Sequence, residues 1–111
     1  MPPSTNGIMR AACCGGLMLG LACTASGAWA SAELALEQGC FSCHGSPPRG
    51  KAPTFPELAN KHARYQSEPG AEAKLADKLR KAPLFGGVDA HQRLSQEDAK
   101  VLLRWIIQGA R

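Results

Sequence analysis

Apolar residues gather at helical spacing along the second half of the chain. Phe55, Leu58 and Ala59 form one set, Leu75 and Leu79 a second, and Val101, Leu102, Trp105 and Ile106 a third. Spacings of three and four put each set on one helix face. The boundaries carry chemical marks. Thr54 caps a helix whose first turn holds Phe55, Pro56 and Glu57, where proline and an acid are favoured, and which runs to about Tyr65. The turn Ser67-Glu68-Pro69-Gly70 precedes a helix from Ala71 to about Lys81, with Leu75 and Leu79 inward and Lys74, Lys78, Arg80 and Lys81 mainly outward. Ser95, with Asp98 three residues on, begins a last helix by a variant of the capping box, and Gly109 ends it after about Gln108. Upstream, Leu34 and Leu36 mark a first helix from Ser31 to about His44, with Glu33 in its favourable first turn. Gly39 lies inside it at a cost in propensity. Either a close approach by another element or a local flexible point explains that glycine. Gly45 to Pro53, with three prolines and two glycines, is a loop, and Ala82 to Leu94 is a second. The prediction is an all-α domain of about four short helices.

The front of the chain has a different pattern. Residues 1–30 read as a cleaved secretory signal peptide: an n-region ending in Arg10, an uncharged stretch from Ala11 to about Ala25, and Ala28-Trp29-Ala30 as a small-x-small cleavage site. The mature domain is then 31–111, beginning at Ser31 and exported through the inner membrane to the periplasm. The apolar stretch is short and glycine-rich, which argues against a retained membrane span. Cys13, Cys14 and Cys23 leave with the leader and imply no disulfide framework. Leu21-Ala22-Cys23 loosely matches the end of a lipoprotein box, with Gly20 where a larger aliphatic residue is preferred, so a lipid anchor at Cys23 is the second reading.

The mature stretch has twelve basic and nine acidic side chains, a formal charge of +3. That balance is too weak for a nucleic-acid partner; it suits at most a docking face for an acidic protein. A domain this small has little core of its own.

The chemistry is concentrated in Cys40-Phe41-Ser42-Cys43-His44. Two cysteines three apart, followed at once by histidine, form the attachment signature of a c-type haem. Residues three apart on a helical turn share a face, so both thiols can reach the vinyl groups of one porphyrin. The adjacent imidazole is then held as the proximal iron ligand. A thioredoxin-like dithiol would want a βαβ pattern, which is not visible. A zinc site would need a second ligand pair, and beyond the motif only His62 and His91 remain. One covalent haem c, tethered through Cys40 and Cys43, would also supply the apolar centre that the short chain lacks. Pro53, in the adjoining loop, has a carbonyl but no N–H. It can accept from the second ring nitrogen of His44 and fix that ring, or simply mark a helix start. His62, beside Lys61 and Arg64, reads as a solvated histidine near a helix end.

The chain resembles the small bacterial monohaem class I cytochromes c over nearly all of residues 32–109. Gly39-Cys40-Phe41-Ser42-Cys43-His44 carries the resemblance, with Lys51-Ala52-Pro53, Gly70-Ala71-Glu72-Ala73 and Ser95-Gln96-Glu97-Asp98-Ala99 in support. It implies the class I cytochrome c fold around one covalently attached haem. It also implies a crossing of first and last helices at Gly39 and Trp105, and Pro53 as acceptor for the proximal histidine. It departs at the sixth ligand, which such proteins usually draw from a methionine before the last helix. Met1, Met9 and Met18 all lie in the leader. Either His91 (less readily His62) ligates the distal side, or that side is open and suits small gaseous ligands in a sensor module. The expected function is one-electron transfer. Leu58, Leu75, Leu79, Phe85, Leu102 and Trp105 are candidates for the haem wall. Partners would be redox proteins such as a periplasmic dehydrogenase, of which the domain could be the cytochrome subunit, a reductase or a terminal oxidase. No nucleophile–base pair marks an enzyme.

Overall fold

The computed structural model describes residues 26–81 and 87–111, and all regular structure among them is helical. The elements are α1 (Ser26–Glu37), α2 (Phe41–His44), α3 (Phe55–His62) with a 3₁₀ turn Ala63–Tyr65, α4 (Ala71–Arg80), α5 (Asp89–Gln92) and α6 (Gln96–Ile107). Most of the expected leader, with Cys13, Cys14 and Cys23, and the wall candidate Phe85 lie outside the described residues. No described helix is long and apolar enough to cross a membrane.

The last helix is the hub. Ala99, Leu102, Leu103, Trp105, Ile106 and Ile107 are all buried, too wide an apolar surface for one partner. Accordingly α1, α3 and α4 all pack against α6. The caps expected at its start and at α3 are present. Ser95 Oγ accepts from the Asp98 N–H at 3.0 Å. Thr54 Oγ1 accepts from the Glu57 N–H while Glu57 Oε2 accepts from the Thr54 N–H, a complete capping box.

The first expected helix is two helices. Gly39 is not in a helix interior but has φ +73° and closes α1. The Cys40 N–H donates to the Ala35 carbonyl and the Gly39 N–H to the Leu36 carbonyl, the paired bonds of a Schellman motif. A Cβ placed on Gly39 would meet nothing within 4 Å. Close approach to Trp105 is therefore not what selects glycine here; the left-handed backbone is. Fully buried Ala35 shares the core cluster with Trp105 instead. Gly39→Ala is expected to destabilise the holoprotein by about 1–2 kcal/mol, the penalty for an L-residue in this region, while Gly39→Asn recovers part of it. Denaturant unfolding of both variants checks this. Equal loss for alanine and asparagine would count against the backbone explanation.

On α4 the fully buried positions are Ala71 and Ala76, whereas Leu75 and Leu79 are half-buried. Small residues let α4 lie close along α6, so the leucines flank the seam rather than fill it. Arg80 also departs from the expected outward run. It is half-buried and turned toward the start of α6.

Candidate functional site

The motif lies immediately beyond the Schellman turn. Cys40 is the N-cap of α2 and packs against the core cluster, with Cys43 and His44 one turn on. The His44 N–H donates to the Cys40 carbonyl at 2.8 Å, holding the turn that brings the two cysteines onto one face. The chain leaves α2 at Gly45, where only glycine fits because a Cβ would sit 2.5 Å from the Phe41 carbonyl oxygen. Both thiols are free and partly exposed. Burial pushes the Cys40 thiol above its usual range. Redox-active dithiols have the opposite perturbation, a stabilised thiolate. Among the described residues no three His, Cys, Asp or Glu side chains cluster to hold a metal ion, as a structural zinc site would require.

His44 Nδ1 lies 2.6 Å from the Pro53 carbonyl oxygen. A carbonyl can only accept, so Nδ1 carries the proton and Nε2 keeps its lone pair. The ring is thus oriented by a bond from the loop, and its other nitrogen is in the form that coordinates a metal. The capping box at Thr54 fixes the chain just after Pro53, which holds that carbonyl in place.

His91 lies beside His44. It lies on α5, between the Asp89 and Gln92 ends of a single helical turn. Its ring stacks on that of His44, with centroids 6.0 Å apart and planes 13° apart. Two imidazoles binding one metal from opposite sides, with bonds of about 2.0 Å and ring radii of about 1.1 Å, have centroids about 6 Å apart. The donor types suit a haem iron, and the ring spacing is of the size that two imidazoles on one metal would have. Burial, and secondarily the nearby His44, lower the pKa of His91. The lowered value favours the neutral imidazole, the ligating form. His62 turns elsewhere: its Nδ1 bonds the Leu58 carbonyl of its own helix at 2.7 Å, and its ring faces Tyr65.

One residue of the site was not singled out from the sequence. Phe55, the first residue of α3, has its ring centroid 5.7 Å from His44, 4.8 Å from Phe41 and 5.0 Å from Trp105. It joins the motif to the core. The available signal was its place next to the Thr54 cap, which fixes the direction of its side chain.

The family profile described as cytochrome c matches residues 30–109. A cytochrome c2 of Rubrivivax gelatinosus is 34% identical over 83 residues, covering 69% of this chain and 94% of that protein. No solved structure matches the chain.

Proposed function

The chain belongs to the cytochrome c family, whose members carry electrons on covalently bound haem c, and on that basis we propose a periplasmic carrier with a single haem. Cys40 and Cys43 would tether it, and His44 and His91 would supply the nitrogens that hold its iron. The observation that carries this reading is the 6.0 Å, near-parallel pairing of the two imidazoles, one of them oriented by Pro53. When bound, the haem supplies a one-electron ferric–ferrous couple. The residues set its terms. Pro53 keeps the His44 proton on Nδ1 and raises the basicity of Nε2. Burial favours neutral His91, and Phe55, which also meets Phe41 and Trp105, stands against His44. Residues 1–30 act as an export signal, and the domain 31–111 works beyond the inner membrane.

A thioether ligand raises the potential of a c-type haem, so two imidazoles place this carrier lower than its methionine-ligated relatives. Its partners are redox proteins, including a dehydrogenase of which it can form the cytochrome subunit. The test is the optical spectrum of the holoprotein in both oxidation states, with and without carbon monoxide. Low-spin spectra in both states, changed only slowly by the gas, are expected. A high-spin ferrous form that binds carbon monoxide at once would replace the carrier by a gas-binding module with an open distal side.

A further inference from the structure

A histidine on a four-residue helix needs its position imposed from outside, because one turn is not stable alone. Three backbone bonds hold α5: the His91 and Gln92 N–H groups donate to the Val88 carbonyl, and the Arg93 N–H to the Asp89 carbonyl. The chain beyond this turn is anchored more firmly. Leu94 is buried in the core, and Ser95 begins α6. The Leu94 carbonyl accepts from Arg80 Nε at 2.7 Å, and Gln96 Oε1 accepts from Arg80 Nη1 at 2.8 Å. Arg80 is the last residue of α4, and α4 lies against α5. One guanidinium thus ties the end of α4 to Leu94 and Gln96, on both sides of the Ser95 cap and three and five residues beyond His91.

We propose that Arg80 is a positioning residue for the distal ligand, holding the 88–95 segment so that the His91 imidazole stays facing His44. The proposal rests on His91 being that ligand. The fork geometry of the guanidinium is needed, because its two donors reach a main-chain and a side-chain acceptor at once. A lysine ammonium has no such fork and keeps one of the two bonds at most. Both bonds are charge-assisted and correspondingly strong. Their function is to keep the segment from swinging out, not to set the chemistry of the ring.

Carbon monoxide enters ferrous holoprotein only when His91 is off the iron, so its apparent association rate scales with the detached fraction. Arg80→Lys is expected to raise that rate about tenfold and Arg80→Ala about a hundredfold, one charge-assisted bond for each factor of ten. Arg104→Gln is the control. It breaks the other polar tie between α4 and α6, to Glu72 at 3.3 Å, and should leave the rate within about twofold. A purely structural role for Arg80 would lower the unfolding midpoint while leaving the carbon monoxide rate unchanged, because global unfolding is too rare to admit the gas. That result in the lysine variant, which keeps size and charge, overturns the proposal even if the alanine variant does not fold. If wild-type ferrous protein is already high-spin and open, the His91 reading fails and this inference with it. If wild type is low-spin and slow, and Arg80→Lys is equally slow, only the role of Arg80 fails.

Discussion

On the proposed ligation, His91→Ala is expected to convert the ferrous haem from a low-spin, six-coordinate form into a high-spin form that binds carbon monoxide at once, and His91→Met to raise the reduction potential. The first outcome follows from the pairing of the two rings. With His44 held by Pro53 at 2.6 Å and His91 removed, the second polar donor in the 6.0 Å pair is gone. His62 is committed to the Leu58 carbonyl and to Tyr65 and does not replace it. The second outcome follows from ligand chemistry. Axial ligands spread haem potentials over about 0.8 V, and exchange of imidazole for thioether should move this one upward by something on the order of 0.1–0.2 V. Methionine is unbranched and adaptable, so it can approach the iron from the α5 backbone without rebuilding the turn. Spectra and redox titration of the two variants check both statements. An alanine variant that stays low-spin and slow to bind the gas would show that another group ligates the distal side. A methionine variant with unchanged potential would show that position 91 is remote from the iron.

The parts of this molecule legible in the sequence are those fixed within a few residues. The Thr54 cap, the Ser95 cap and the Gly109 stop are local patterns, and each appears where the residues required it; the reciprocal box forms at Thr54–Glu57, while at Ser95 the bond from the Asp98 N–H is the one seen. The bond from His44 to Pro53 spans nine residues; the residues alone left that proline as an acceptor or a helix start, and the resemblance pointed to the acceptor. Other features depend on contacts that sequence spacing does not encode. Gly39 in a helical stretch admits several explanations, and only its positive φ and the open space at its Cβ single out a chain reversal. Arg80 belongs by spacing to a solvated basic face; the guanidinium turns inward because the chain from α5 to α6 brings two acceptors to it. Alanines 71 and 76 look ordinary beside Leu75 and Leu79 until α4 is seen lying against α6. His91 could be named as a candidate from its loop, but its alignment with His44 is a tertiary fact.

Removing both tethers with Cys40→Ala/Cys43→Ala is expected to abolish covalent haem and to lower the stability of the domain by more than any single side chain could account for. The reason lies in the size of the core. Its fully buried members, Ala35, Ala76 and Ala99, are small. Among the described residues no large side chain is fully enclosed. A domain of this length buries too little of its own surface to be more than marginally stable unaided. A bound cofactor stabilises the folded state by mass action, by about 4 kcal/mol when its effective concentration is a thousandfold above the dissociation constant. Tethering creates such a concentration, and cutting both tethers removes it. At about 4–8 °C per kcal/mol for a domain of this size, the unfolding midpoint should fall by about 15–30 °C. A pyridine haemochrome assay reads the covalent haem, and thermal circular dichroism reads the midpoint. Either single-cysteine variant should fall between the double variant and wild type, because one thioether still confines the group near His44. A double variant as stable as wild type would mean that the packing of α1, α3 and α4 on α6 is sufficient without the haem. The tethers would then serve only to retain the cofactor, not to complete the core.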